Sequence, residues 1–583
     1  AITSGQYNLA IGKSALAAQT VGDANIAIGE NALLDLNHVN GSYNIAIGYN
    51  AGMSMGANNV YSNILIGRQA GMNINHADGS NTIAIGTNAG IDITSGQNSV
   101  LIGTEAGTNI TTGDYNTAIG YQAMHGDDSA ATTGTGNTAV GYEAGKYITT
   151  GAYNTILGYQ AGDAASIGSN HVLLGAFAGS TINSTDADGT VAVGYNAGAI
   201  LKSGIGSTAI GFEALKTATD NDYNTAVGAR ALYSISGSSG TQGEGNTAVG
   251  RYAGYLTTTG NDNVFVGHGA GFANTTGIYN NFIGTNAGGS STTAGQNTYI
   301  GWDAAKYQQV GGNNVAIGHQ TLYGTTGKAN STNSSVAIGY QAAYRSDAGS
   351  GLVAVGKGAL RNVSDSGSYS VAIGNDSGYY ASGSYNTFVG GNAGLGGTTS
   401  APYSSGENNV AVGYQAFDAF TTGYYNTVVG KSAGTSVTTG FANVYLGYNA
   451  GYYGTTGRGN VAIGSGAQFG VSTQTTGTYN VSLGENSLFG LTSGNHNFAV
   501  GSNAGYSLTT GEHNVIIGSA AGDALTTTSN AIMIGRDAGT NINSSDAYGS
   551  VLIGTYAGRA LTDGERNIMI GYLAGKEITT KNK

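Results

Sequence analysis

The sequence contains no cysteine and a single proline, Pro402, and only 9% of its 583 residues are charged. Without cysteine, disulfides, thiolate chemistry and zinc–thiolate sites are excluded. With one proline, a collagen triple helix is excluded, because it needs abundant proline and glycine at every third position. No apolar run approaches the roughly 20 residues of a transmembrane helix. These absences exclude a disulfide scaffold and a collagen, and they predict no membrane insertion.

Charge of either sign is scarce and scattered along the chain. The sequence has 20 Lys and Arg against 32 Asp and Glu, which gives a formal net charge of −12. No basic stripe exists, so we expect no nucleic-acid partner. Apolar residues make up 40% of the chain, which argues against disorder. The 102 glycines therefore predict a regular, non-helical architecture in which glycine serves repeated tight turns.

One motif recurs along the whole chain: asparagine, three strand-type residues, a central glycine, two variable residues and alanine, as in residues 426–433. We count 32 copies, with central glycines from Gly12 to Gly571, and 19 of the 31 steps between them are 17 residues long. The residue before the central glycine is Ile, Val or Leu in every copy, and the third residue after it is Ala in 29 copies. Such columns indicate tandem structural repeats.

A unit of 17 residues is too short for a pair of helices, because helical repeats run above about 30 residues. Two strands of four to six residues with two turns would fit, and the β-branched, glycine-bounded segments are typical of strands. We therefore predict an all-β fold, a parallel β-solenoid of about 32 coils. It would form one continuous array over residues 1–583, with core repeats from about 8 to 576. Coils stacked about 4.8 Å apart would make a rod of roughly 150 Å.

The longer steps carry related polar inserts. They fall at residues 73–75, 183–189 and 543–549, between the alanine of one copy and the strand of the next. We expect these insertions to map to one turn and to leave the register of the strands intact.

The motif also bears on assembly. Alternate residues of a strand face opposite sides, so Ile45 and Ile47 share one face and Ala46 and Gly48 share the other. We expect the aliphatic face to fill the coil and the small Ala/Gly face to lie outside. An exposed apolar stripe is an aggregation hazard, so we expect it to be buried between intertwined or packed subunits of a homotrimer. The alternative is that alanine packs inside a narrow coil of a single chain.

Tyrosine is unusually abundant, with 38 residues. One group directly follows central glycines and another precedes the motif asparagine, as Tyr115 and Tyr153 do. Stacked coils would align each group in a row. A row of rigid rings with polar tips could contact surface glycans, and the candidate residues are Tyr121, Tyr142, Tyr159, Tyr414 and Tyr448. The alternative is a structural ladder that covers the corners of the coils.

Other chemistry is sparsely represented. None of the eight histidines has metal-ligand spacing to another, and we expect them on the surface. Residues 186–189 resemble a fragment of a calcium loop but lack the later bidentate Glu, so a polar insert with an Asx turn is predicted. The Thr pairs at 111–112, 149–150 and 421–422 are candidates for an ice-binding face. The acids show no recurrent pairing of the kind that glycan hydrolysis needs. We predict no catalytic residue, cofactor or metal.

Several stretches resemble known families. Residues 116–124, 154–162 and 335–343 resemble the Asn-Thr-Ala-Ile-Gly-Tyr-Gln-Ala repeats of phage tail-fibre and related metagenomic proteins. Residues 335–339 and 370–374, both Ser-Val-Ala-Ile-Gly, are similar to the head repeats of trimeric autotransporter adhesins, although those repeats are shorter. Both resemblances imply left-handed parallel β-rolls assembled as trimers, and the choice between the two families stays open.

The sequence thus predicts a function without catalysis. We expect a structural fibre shaft or adhesin, extracellular, on a cell surface or on a virion, that mediates attachment to a surface. The expected partners are further copies of the chain and surface glycans. The alternatives are a subunit of an extracellular filament, or a rod-borne protein that binds glycan or ice.

Overall fold

The computed structural model describes residues 4–56, 59–74, 79–127, 130–237, 242–328, 330–363, 367–400, 403–471, 475–543 and 545–579. The chain divides into two compact units, residues 1–294 and 295–583. Both units are built from the same coil, and the prediction of an all-β, parallel β-solenoid of about 32 turns is confirmed. The inserts at residues 73–75 and 543–549 lie partly outside the described residues. His76 and Pro402 lie wholly outside them.

Each coil of the first unit contributes one strand of three residues. The strands are β1 (Leu9–Ile11), β2 (Ile26–Ile28), β3 (Ile45–Ile47), β4 (Ile64–Ile66), β5 (Ile83–Ile85), β6 (Val100–Ile102), β7 (Thr117–Ile119), β8 (Thr138–Val140), β9 (Thr155–Leu157), β10 (Val172–Leu174), β11 (Val191–Val193), β12 (Thr208–Ile210), β13 (Thr225–Val227), β14 (Thr247–Val249), β15 (Val264–Val266) and β16 (Asn281–Ile283).

The second unit repeats this arrangement. Its strands are β17 (Thr298–Ile300), β18 (Val315–Ile317), β19 (Val336–Ile338), β20 (Val353–Val355), β21 (Val371–Ile373), β22 (Thr387–Val389), β23 (Val410–Val412), β24 (Thr427–Val429), β25 (Val444–Leu446), β26 (Val461–Ile463), β27 (Val481–Leu483), β28 (Phe498–Val500), β29 (Val515–Ile517), β30 (Ile532–Ile534), β31 (Val551–Ile553) and β32 (Ile568–Ile570).

Within each unit, consecutive strands pair in parallel and in register, so that equivalent motif positions lie side by side, as Ala27 does beside Ala46. The prediction of two longer strands per coil is wrong. Among the described residues the second ladder is reduced to isolated bridges such as Phe441 with Arg458, because glycine and turn residues interrupt the backbone there. The described residues contain no α-helix, only 3₁₀ turns at Thr185–Ala187 and Ser545–Ala547. None of them forms a helix able to cross a membrane.

The two faces of each strand are the reverse of the expected ones. In β2 to β32 the middle residue is buried in the coil, and the two flanking residues, most of them aliphatic, point outward. Ala372 has no exposed surface, whereas the side chain of its neighbour Ile373 is 43% exposed. The coil is narrow, and its interior is filled by the middle strand residue, the motif alanine and the residue seven positions after the central glycine, which is aliphatic in many coils, as Ile110 is, and polar in others, as Asn274 is. Alanine therefore packs inside a single chain, which was the alternative considered above.

Side-chain volume is balanced within each coil. The residue in the middle of the strand and the residue four positions after the central glycine face each other in the core. Where the strand carries Phe265, the facing residue is Gly271, and a Cβ atom there would overlap the phenyl ring. Where the strand carries Ala226, the facing residue is Leu232, and both are fully buried. Close packing with large and small residues in alternation explains this exchange.

The motif asparagine forms a buried ladder between coils. The Oδ1 of Asn409 accepts the backbone N–H of Asn426 at 3.0 Å and the side-chain amide of Asn426 at 3.0 Å. The same amide donates to the carbonyl of Gly440 at 2.9 Å. The longest run among the described residues joins Asn386, Asn409, Asn426, Asn443, Asn460, Asn480, Asn497 and Asn514. Each amide thereby satisfies peptide groups that would otherwise be buried without partners.

His171 interrupts the ladder in the first unit. It stands at an asparagine position and is fully buried, so the expectation of eight surface histidines is wrong here. Among the described residues neither of its ring nitrogens has a hydrogen-bond partner. Burial lowers the pKa of His171 to about 4. The ring occupies the place of an asparagine amide but makes no hydrogen bond to the next coil among the residues described.

The inserts leave the register intact, as predicted. Residues 184–189 form a short 3₁₀ turn in which the hydroxyl of Ser184 accepts the N–H of Asp186 at 3.1 Å. The strands on either side still pair residue for residue, with Val172 beside Val191. A side-chain oxygen of Asp188 accepts the N–H of Ser169 at 2.7 Å, which agrees with a polar insert rather than a calcium loop.

We predict that Gly158→Val destabilises the first unit by about 3 kcal/mol or more. Gly158 has φ +143°, and a Cβ atom there would lie 2.6 Å from the carbonyl carbon and oxygen of Gly175 in the next coil. A branched side chain can neither adopt that backbone conformation nor fit the contact. Urea unfolding followed by circular dichroism would measure the change. Gly56→Val is the control, since no atom lies within 4 Å of its added Cβ, and equal stability of the two variants would contradict the prediction.

We also predict that His171→Asn removes an acid sensitivity of the first unit. Because the folded-state pKa of His171 is lowered to about 4, between about pH 4 and pH 6.5 the unfolded chain binds a proton at this residue and the folded chain does not. Wild-type stability should therefore fall as pH drops from about 6.5 towards 4, by roughly 1.4 kcal/mol for each unit of pKa shift. Asparagine would also restore an amide, which should stabilise by about 1 to 3 kcal/mol at neutral pH.

Urea unfolding at several pH values would test this second prediction. His268→Asn, the same replacement at an exposed position, serves as the control. An unchanged pH slope in the His171 variant would contradict the account of the ladder.

Candidate functional site

The most extensive surface feature is the outer sheet face, formed by the first and third residues of each strand. The third residue is Ile, Val or Leu in all of the strands described, and the first is Val, Ile, Thr, Leu, Phe or Asn. None of these residues is charged. Many are well exposed, such as Leu157 at 49%. Within one unit, sixteen strands spaced about 4.8 Å apart and three residues wide at about 3.3 Å each give a face of roughly 770 Å².

Such a face is unusual for a free surface. Parallel sheets are normally covered on both sides, and monomeric proteins rarely expose apolar patches above a few hundred Å². The core lies under one side of the sheet, and none of the elements described in the same unit covers the other side. The outer sheet face is therefore the first candidate for an interaction surface.

The tyrosines proposed as glycan contacts fall into two groups. Tyr121, Tyr142 and Tyr159 lie in consecutive coils, with ring centroids 5.2 and 5.0 Å apart and rings within 17° of parallel. Tyr414 and Tyr448 lie in the second unit, and the coil between them carries Lys431 in the same row. The Nζ of Lys431 lies 5.9 Å from the centre of the Tyr448 ring. Hence only the first three come together.

Stacking determines what the first group can do. In a row of stacked rings each face is covered by the next ring, so the middle ring, Tyr142, presents its edge and hydroxyl to solvent. A sugar ring stacks on an open aromatic face, which this row does not offer in its interior. The row continues through Phe177, Tyr195 and Phe212. This geometry favours the structural ladder over the glycan-contacting row for Tyr121, Tyr142 and Tyr159.

The tyrosines before the motif asparagine have a local role. Tyr153 adopts a left-handed backbone conformation with φ 59°, which is uncommon for a bulky residue. Its ring lies against Gly136 of the preceding coil, where an added Cβ atom would come within 2.8 Å of the ring. Gly459 and Tyr479 repeat this contact. Each of these rings covers the backbone of a glycine at the equivalent turn of the preceding coil.

A further aromatic row was not found from the sequence. It lies at the fifth position after the central glycine, and we call it the fifth-position row. Tyr452, Phe469, Phe489 and Tyr506 stack there with centroids 4.8 to 5.1 Å apart. Alignment of the repeats on their central glycines would have revealed the column, because these residues recur at a constant offset from Gly447 onward.

The other candidates carry less chemistry. No group of three metal-ligating side chains exists among the residues described. The first Thr of each candidate pair is engaged between coils, since the hydroxyl of Thr111 donates to Thr132 and that of Thr421 to Thr438. These threonine hydroxyls donate hydrogen bonds to the next coil, so they are not free to form the regular array of an ice-binding face. Burial raises the pKa of Asp418 to about 6, but a raised pKa at one carboxyl group is not the pair of acids that glycan hydrolysis needs.

We predict that Tyr142→Ala destabilises the first unit by about 1 to 3 kcal/mol, because the change removes two stacked contacts of about 0.5 to 1.5 kcal/mol each. Tyr414→Ala is the matched control, because Tyr414 occupies the same motif position but stacks on no ring among the residues described. It should change stability by less than about 0.5 kcal/mol. Thermal unfolding would measure both. Equal effects would show that the row does not stabilise the fold.

Comparison with protein-family models finds none that matches the chain, and comparison with curated proteins finds no match either.

Proposed function

We propose that this chain is a non-enzymatic structural fibre protein that self-associates through its outer sheet face and mediates attachment to a surface. The observation that carries the proposal is the outer sheet face itself, which is apolar and uncharged along both units. The chain's 20 basic and 32 acidic residues all lie elsewhere. A face of roughly 770 Å² per unit approaches the approximately 800 Å² that each partner buries in a stable interface.

The occupant that fits this face best is a second copy of the same chain. Within each unit the coils present the same two columns at the same spacing, with aliphatic or β-branched side chains at all positions except Asn281 and Phe498, so two copies match each other along the face of a unit. No charge is present to select a different partner. Closed symmetry is the usual outcome for homo-oligomers, and three copies could bury one face each around a common axis. The resemblance to trimeric repeat fibres supports a homotrimer.

The architecture also supports a structural role. Nearly every described residue belongs to a coil or to the turn that joins two coils, and each coil contacts mainly its neighbours, as in other repeat proteins. We propose that the assembled coils act as a shaft or adhesin outside the cell or on a virion. Catalysis, cofactor binding, nucleic-acid binding and membrane insertion form no part of the proposal.

The inverted faces change the residue at which assembly should be tested. Ala316 stands in the middle of β18, on the small-residue face that was expected at the subunit interface, but its side chain is fully buried within the coil. A charge there would unfold the coil rather than block association. Ile463 is the better choice, because its side chain is exposed on the outer sheet face.

We predict that wild-type chain has a mass near three times 58.2 kDa by light scattering and that Ile463→Glu lowers it. A glutamate on the buried face would meet apolar groups and other glutamates without a partner. Ser465→Glu is the matched control, since Ser465 is exposed two residues later in the same coil. It should keep the wild-type mass.

A wild-type mass near 58.2 kDa would defeat the proposal of self-association. A mass that grows without limit would favour the alternative of a filament subunit. Circular dichroism of the variants would verify that both remain folded.

A further inference from the structure

The second unit contains a cavity of about 360 Å³ on the turns of four consecutive coils. Its lining includes Tyr340, Lys357, Arg361, Asp376 and Tyr379. All of these residues follow central glycines by one to five positions, so the cavity lies on the turns and not on the outer sheet face. We infer that this cavity binds an acidic saccharide, a sugar chain that carries carboxylates.

The cavity exists because one row of side chains is interrupted. Gly358 stands two residues after its central glycine, and the neighbouring coils carry Gln341 and Asp376 at the same position. A Cβ atom on Gly358 would meet the carboxylate of Asp376 and lie 3.0 Å from the Tyr379 ring. The missing side chain opens the space between these groups.

Aromatic surface is available in this cavity. Trp302, His319 and Tyr340 form a row, with centroid distances of 4.6 and 5.3 Å. The next coil carries Lys357 at the same position, so Tyr340 ends the row: within the described residues no ring other than His319 contacts it, and Tyr340 is 45% exposed. An uncovered face next to polar side chains is the surface on which a sugar ring stacks. This end of a row differs from Tyr142, which has a ring on both sides.

Two cations give the cavity its preference for an anion. The guanidinium of Arg361 lies 4.9 Å from the Tyr344 ring and 5.3 Å from the Tyr379 ring, which fixes its plane. Its Nε donates to Gln341 at 2.9 Å. Within the described part of the chain, neither Arg361 nor Lys357 pairs with an acid, and a planar guanidinium matches a carboxylate.

Basic residues also cluster in the surrounding sequence. Of the chain's 20 basic residues, four lie at Lys328, Arg345, Lys357 and Arg361, and Lys328 pairs with Asp347 at 3.0 Å. Asp376 and Tyr379 add groups that bond to sugar hydroxyls. Burial raises the pKa of Tyr379, so its hydroxyl remains a neutral donor. Aromatic surface, hydroxyl-binding groups and two unpaired cations together fit a uronic acid oligomer better than a neutral sugar.

The test is isothermal titration of the full chain with a tetramer of galacturonic acid and with maltotetraose as the neutral probe. We expect the acidic tetramer to bind at least tenfold more tightly than the neutral one, and its binding to weaken as salt increases. Lys357→Gln should weaken binding by about tenfold, as expected for loss of a charged hydrogen bond. Gly358→Asn should abolish it by filling the cavity; asparagine tolerates the left-handed backbone, with φ +65°, at that position.

Lys431→Gln is the matched control, because Lys431 occupies the same motif position as Lys357 outside the cavity. It should bind like the wild type. Absence of binding to the acidic tetramer, equal affinity for both sugars, or unchanged affinity in both cavity variants would overturn the inference. Circular dichroism of each variant excludes unfolding as the cause of a loss.

The inference deepens the proposed function, since saccharides cover the surfaces to which a fibre would attach. Its failure is distinguishable from failure of that function, because binding is read by titration and assembly by light scattering. A chain that binds the sugar as a monomer would keep this inference and lose the proposed self-association.

Discussion

The fold depends on hydrogen bonds that run from coil to coil, and the buried asparagine ladder is the element that completes them. A coil of about 17 residues with one strand of three residues leaves many peptide groups inside without a ladder partner. Asn426 supplies what the strand cannot, since its amide bonds to the coils on either side. The asparagine, the strand and the central glycine therefore recur together, because each coil must repeat the geometry of the last for these bonds to form.

Much of this could be predicted from the sequence. The repeat length, the parallel register and the position of the inserts all follow from columns that are visible without a structure. The direction of the strand faces could not be predicted in the same way. Alternation shows that Ala372 and Ile373 lie on opposite faces, but both are apolar, so the pattern does not reveal which one is inside. The size of the interior decides, and that size depends on the turn residues of the same coil, such as the residue that faces the middle of the strand.

The surface follows the same period as the core, which explains where site predictions were limited. Any side chain repeated at one motif position becomes a row, and aromatic rings in a row stack on each other. The abundance of tyrosine therefore reflects stacking between coils, and Tyr142 contributes to the contact between its coil and the coils on either side. Chemistry arises where the period breaks. Gly358 opens a cavity, Lys357 ends an aromatic row, and Asp418 is half-buried with a raised pKa. Each of these positions is a single departure from a long pattern, and its role depends on the residues that surround it in the folded chain.

The coil-to-coil bonds also determine how each unit would respond to a mechanical load. Within a unit these bonds lie along the stacking direction. Tension applied along that direction therefore acts on every junction between consecutive coils in series, and each junction carries the full load. The strength of the unit is then that of its weakest junction rather than the average of all. Between Asn426 and Asn443 the side chains add two bonds to the backbone ladder. His171 adds none between β10 and β11, and a junction of that kind would separate first under force.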